Sequence, residues 1–205
     1  MDMFSKIKNV LINSNDSLVN GFPKHIRNDV EKVVNIIPIE TCNNVKIGIS
    51  ENNINYILYG EKIIFPYRIY YNEISESIFE NLNEVQKNIL HCIYTRSCDG
   101  YVREKHLGSL LNSDCFNWVI PYIVKICDEY VVEILELTYS ELKERNTDEI
   151  KKFCIENKAI FCKSYNRMIS YWNEFYRHRC YYYKNYIGRK LFRECFGYTR
   201  SMEKI

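Results

Sequence analysis

The sequence predicts a mainly α fold carrying a small β element (α+β), and three observations lead to it. Apolar residues recur at helical spacing from Ile74 almost to the end of the 205-residue chain. Between Val45 and Tyr71 the period changes to alternation, the mark of half-buried strands. A seven-residue word, Cys98-Asp99-Gly100-Tyr101-Val102-Arg103-Glu104, returns 29 residues later as Cys127-Asp128-Glu129-Tyr130-Val131-Val132-Glu133, matching at five positions. Each copy follows an apolar run, Val85 to Tyr94 and Trp118 to Ile126. Helix, polar break and helix, repeated, is the pattern of an α-helical repeat.

Taken in order, Phe4, Ile7, Val10 and Leu11 make a short amphipathic helix over residues 1–13, ended by Asn13-Ser14-Asn15-Asp16. Ile26, Val30, Val33, Val34 and Ile37 give a second helix between Pro23 and Pro38; a proline at a helix start loses no hydrogen bond. Val45 to Ile49, Ile54 to Tyr59 and Lys62 to Tyr71 read as a three-stranded antiparallel meander, with turns at Glu51-Asn52-Asn53 and Gly60-Glu61. Pro66 makes the third strand an edge or bulges it. Residues 1–72 therefore form helices plus meander, packed on a helical region over 73–205. Asn83-Glu84-Val85-Gln86 has the form of a capping box, and Pro121 falls near the start of a later helix. A break at Arg145 to Asp148 precedes a helix with Ile150, Phe153 and Cys154. Ser164 caps a long helix whose Ile169, Trp172, Phe175 and Tyr176 share a core face. Gly188 breaks the pattern, leaving Leu191 to Phe196 as a last short helix.

Within the repeated word, Asp99 can cap the following helix and Gly100 tolerates the turn. Val102, His106, Leu107, Leu110 and Leu111 form one stripe beyond it, and Arg103 can reach Asp99 across the first turn. The second copy supplies Val131, Ile134, Leu135 and Leu142. Asp99-Gly100-Tyr101-Val102-Arg103, with Leu110, resembles the inter-helix turn and second-helix start of a HEAT-type repeat, over about residues 83–142. That resemblance implies a short stacked helical scaffold for binding proteins, in which Asp99, Arg103 and Asp128 tie units together. His106 and Ser109 stand where such repeats carry small residues, and Val132 replaces the arginine in the second copy. The wider pattern, Pro66-Tyr67-Arg68-Ile69-Tyr70 and Ser170-Tyr171-Trp172 included, resembles uncharacterised bacterial proteins and implies no activity. A cap with a structural ion pair is the plain alternative for Asp99 and Arg103.

Composition narrows the chemistry. A hydrophobic share of 46% is enough for a core. The eighteen tyrosines suit helix packing and contact surfaces alike. Nine cysteines without a Cys-x-x-Cys pair, behind a start that lacks a signal peptide, read as reduced thiols in a cytoplasmic protein. The four histidines lack zinc-ligand spacing, so no metal or other cofactor is expected. No apolar run is long enough to span a bilayer. Phosphate loops, nucleophile elbows and His-Glu-x-x-His are all missing, and the Glu133, Glu136, Glu141, Glu144 series reads as a solvated face. A catalytic site would have to be assembled without a local motif.

Charge supplies the one distinctive feature. Residues 163–200 hold nine basic residues against two acidic ones, a net +7, whereas residues 1–162 carry a net −5. Arg177, Arg179, Lys184, Arg189 and Lys190 lie beside Tyr181, Tyr182 and Tyr183, an alternation that can grip an acidic protein or a nucleic acid. These cations can equally pair with the chain's own acidic face at Glu133 to Glu144. Arg68, between Tyr67 and Tyr70, can face a cleft or stack on a tyrosine at a sheet edge. The whole-chain pI of 8.0 falls below what a dedicated nucleic-acid domain shows. The expected function is therefore a non-catalytic protein-binding scaffold or adaptor, with nucleic-acid binding as the rival. The sequence does not indicate an oligomeric state.

Overall fold

The computed structural model describes residues 16–38, 40–42, 45–113 and 117–203, so the helix expected over 1–13 lies outside the described residues. The fold is mainly α, with small β hairpins near the N-terminal side. Two compact units are present. One holds the residues up to Tyr56 and Glu61–His106, the other Ile57–Gly60 and the residues from Leu107 onward.

In the first unit, Pro23 leads into a 3-10 turn (Lys24–Ile26) and helix α1 (Arg27–Ile36). Val30, Val33 and Val34 are its buried stripe, at the spacing of one helical face. Strands β1 (Glu40–Cys42) and β2 (Val45–Ile47) pair antiparallel, and β3 (Asn53–Leu58) with β4 (Glu61–Pro66) makes a second two-stranded sheet. The expected three-stranded meander is thus two hairpins, linked by an isolated bridge between Ile49 and Ile69. Pro66 ends β4 because it offers no N–H to a ladder. Beyond it, Ile69 pairs with the turn after a helix: its N–H donates to the Arg96 carbonyl (2.8 Å) and its carbonyl accepts from Cys98 N–H (3.0 Å).

Helix α2 (Glu76–Glu80) is followed by α3 (Glu84–Tyr94), which starts on the capping box. The Asn83 side chain accepts from Gln86 N–H at 2.9 Å, and the Gln86 side chain accepts from Asn83 N–H at 3.3 Å. Gln86 also donates to Asp29 of α1 at 2.8 Å. Helix α4 (Gly100–Asn112) buries His106, Leu107, Leu110 and Leu111. In its first turn the buried residue is Arg103, and Val102 is only half-buried. The Arg103 guanidinium is drawn inward by carbonyls of the preceding turn, donating through Nη1 to Ser97 (2.9 Å) and Cys98 (3.0 Å).

The second unit contains α5 (Ile120–Ile126), α6 (Val132–Leu142), α7 (Asp148–Glu156) and α8 (Lys158–Tyr171). Pro121 sits in the first turn of α5, where it fits. The Tyr59–Gly60 turn has positive φ at both residues, 52° and 79°, the geometry of a tight hairpin. The Glu156 carboxylate accepts from both backbone N–H groups of that turn (3.2 and 2.9 Å), and the Tyr59 hydroxyl donates to Glu149 (2.8 Å). Asn157, between α7 and α8, behaves like one residue of a strand. Its side chain accepts from Ile57 N–H and donates to the Ile57 carbonyl, both at 2.7 Å, and donates to Phe153 at 2.9 Å. Asn157→Ala should therefore cost about 1–3 kcal/mol, read from urea midpoints, and a cost under about 0.5 kcal/mol would contradict this role.

Helix α8 begins at Lys158, so Ser164 lies buried in its middle and does not cap it. Its buried face is Phe161, Ser164, Tyr165 and Met168. Ile169, Trp172 and Tyr176 are half-buried, and Phe175 is 48% exposed. The ring spacing points to a face one position off the true one, and α8 then passes into a π-helical turn (Trp172–Tyr176) that rotates it further. Phe161 stacks on Phe192 at 5.5 Å between ring centroids, with Phe196 and Tyr198 edge-on. Gly188 lies buried inside helix α9 (Ile187–Lys190) and breaks nothing. It is needed for close approach, because a Cβ there would fall 2.8 Å from Met168 Sδ. The break comes at Gly197, with φ 76°, after a π-helical turn at Leu191–Cys195.

Candidate functional site

The basic, aromatic surface is built by the end of α8 and the loop that follows. Trp172 donates its indole N–H to the Cys180 carbonyl at 2.9 Å and packs against Tyr183 at 4.8 Å. Tyr176 stacks on Tyr186 at 6.0 Å. These rings, Tyr186 buried and the others half-buried, pin the loop over 177–182 and turn its charged side chains outward. Arg177, Arg179, His178, Lys184, Tyr181 and Tyr182 are all exposed, while Arg189 and Lys190 are half-buried on α9. The cations sit over ring faces: Arg177 on Tyr181 (5.7 Å), Lys184 on Tyr182 (5.8 Å) and Arg189 on Tyr183 (6.0 Å). Among the described residues, none of Arg177, Arg179, Lys184, Arg189 and Lys190 forms an ion pair with a carboxylate. On the acidic helix, Glu141 instead engages Arg145 at 2.7 Å.

The other residues singled out by sequence fall elsewhere. Arg68 stacks on its neighbour Tyr67 at 4.5 Å and donates to that residue's carbonyl at 3.0 Å. Asp99 and Asp128 each lie in a turn between two helices, but their side chains differ in role. Asp99 is exposed and accepts from Tyr101 N–H at 2.8 Å, a cap. Asp128 is 2% exposed and takes the Lys125 ammonium on both oxygens at 2.6 Å. Ser164 donates to it at 2.8 Å, and Arg167 approaches to 3.7 Å. Ser164 faces inward to complete this buried pair.

One constellation carried no sequence signal. Glu73, His106 and His91 form a hydrogen-bonded chain in the first unit, with His106 Nε2 at 2.8 Å from Glu73 and the two Nδ1 atoms at 2.7 Å. Lys105 also donates to Glu73 at 2.7 Å. Burial lowers both imidazoles, His91 to about 4 with help from the charges of His106, Lys105 and Lys87; at His106 the Glu73 contact only partly offsets it. At neutral pH both rings are therefore uncharged. Glu73 can only accept, so His106 donates Nε2–H to it and receives Nδ1–H from His91. Tyr94 stacks on His106 at 4.8 Å, and its hydroxyl donates to the Asn72 carbonyl at 2.6 Å. Side chains on α3 and α4 thereby hold the segment at Asn72 and Glu73.

No described group of three His, Cys, Asp or Glu residues is arranged to hold a metal ion. Burial pushes the Cys127 thiol up to about 12 and Cys195 to about 11, and raises Cys154 and Cys162 as well, so these four stay protonated at neutral pH. A cleft of about 340 Å³ has an apolar floor (Val119, Ile120, Ile123) with Arg145 and Glu149 at its rim. Both rim charges are already engaged, Arg145 by Glu141 and Glu149 by Lys152 (2.5 Å). No helix of the described residues is long and apolar enough to cross a membrane.

Fold and surface thus define a mainly α protein with two small hairpins and an outward-facing basic, aromatic patch. Comparison with known proteins gave no matching family model, no matching curated protein and no matching solved structure.

Proposed function

We propose that this chain is a non-catalytic intracellular module that binds another protein, with the basic, aromatic surface over residues 172–190 as its contact face. The observation that carries this reading is the set of outward cations that no described carboxylate neutralises. Such a surface attracts an anionic partner and speeds encounter with it. The HEAT-like scaffold reading accompanies it: Asp99 and Asp128 both fall in turns between helices, as paired repeat words require. The protonated thiols and the two engaged rim charges of the apolar cleft favour binding over catalysis.

The test is fluorescence anisotropy with a labelled polyglutamate peptide across a salt series. Binding should be measurable at low salt, weaken as salt rises, and fall about tenfold or more when Arg177 and Lys184 are both changed to Glu. No binding at low salt, or unchanged binding by the charge-reversed variant, would overturn the proposal. Single-stranded oligonucleotides bound more tightly than the peptide, with a steep salt slope, would transfer the surface to nucleic acid.

A further inference from the structure

Beside the basic loop lies a group of rings that the charge argument leaves without a role. Tyr130 is 53% exposed and Phe175 48% exposed, with Tyr171 half-buried next to them. Their ring centroids are 6.1 to 6.2 Å apart in every pairing. Tyr176 holds them in place: its hydroxyl donates to the Tyr130 carbonyl and accepts from Val132 N–H (3.3 Å). The turn before α6 is thereby fastened to the end of α8, and Tyr130 and Phe175 are presented side by side. Arg177 and Arg179, both exposed, follow Phe175 within four residues. Two half-exposed rings supported from beneath are costly in water unless something covers them.

We infer that the ridge of Tyr130 and Phe175, continuous with Arg177 and Arg179, receives an acidic amphipathic peptide segment, its apolar side chains on the rings and its carboxylates on the arginines. This rests on the protein-binding reading above and specifies the partner's chemistry. Charge complementarity selects an acidic occupant, and the exposed rings select one with apolar side chains. Ring geometry disfavours nucleobases. The ridge rings meet at 72°, 51° and 32° and offer no flat platform, while Tyr181 and Tyr182 carry their own cations.

The experiment compares three labelled probes of equal net charge on the full chain: a Glu/Leu amphipathic peptide, polyglutamate and oligo-dT. The amphipathic peptide should bind about tenfold tighter than polyglutamate. Tyr130→Ala should remove most of that advantage and leave polyglutamate binding unchanged, and Phe175→Ala should remove most of it as well. Equal affinity for the two peptides, an advantage that survives both ring variants, or tighter binding of oligo-dT would overturn the inference. If polyglutamate binds without an amphipathic advantage, only the inference falls. If none of the probes binds, the protein-binding reading falls with it.

Discussion

Replacing Asp128 with Ala should lower stability by about 3–5 kcal/mol, among the largest effects of any single change in this chain. Asp128 and Lys125 are each 2% exposed, and the carboxylate takes the ammonium on both oxygens at 2.6 Å. Removing the carboxylate leaves the Lys125 charge buried without it and takes the acceptor from Ser164. Breaking such a pair costs far more than deleting it whole. A Lys125→Met, Asp128→Leu double variant should therefore regain most of the loss. Urea midpoints measure both, and a cost below about 1 kcal/mol for Asp128→Ala would show that the pair contributes little.

Acid should destabilise the chain through His91 before its carboxylates are titrated. The folded value of His91 is depressed from 6.5 to about 4, so over that interval the unfolded chain binds more protons. The stabilisation is fully present above about pH 6.5 and is lost as pH falls towards about 4, a total of about 3 kcal/mol. Glu73 acts in the same direction at lower pH. Burial would raise it, but hydrogen bonds from Lys105 and His106 outweigh that and hold it below the usual carboxylate range. Unfolding midpoints at about pH 7, 5.5 and 4.5 give the slope. The His91→Phe variant, which cannot take the proton, should show a shallower one. Parallel slopes for the two proteins would remove His91 as the cause.

How much of this was legible in the sequence depends on how local the cause is. The Asn83 and Gln86 capping box, the helix between Pro23 and Pro38, and the hairpin turn beside Gly60 rest on neighbours in the chain, and each lies where the residues point. Helix faces were less legible. The core side of α8 is Phe161, Tyr165 and Met168, one position from the face that holds Ile169, and the π-helical turn at Trp172–Tyr176 leaves Phe175 exposed. Arg103 showed the same limit, since its burial depends on carbonyls that only the folded turn presents. Long-range pairs left no trace: His91 meets His106 from another helix, and Asn157 pairs with Ile57 across 100 residues. The candidate surface was visible as composition, as alternating cations and tyrosines. Its ridge was not, because Tyr130 joins Tyr171 and Phe175 only through the Tyr176 clamp.

An indole NMR titration tests the central claim most directly. The chain has two tryptophans, Trp118 buried at 6% exposure and Trp172 bonded to the Cys180 carbonyl beneath the basic loop. Addition of an acidic amphipathic peptide should shift the Trp172 indole N–H signal and the backbone amides of residues 175–190, and leave the Trp118 indole where it is. Saturable binding that moves other amides and leaves the Trp172 indole and the loop unchanged would place the contact face elsewhere and contradict the account.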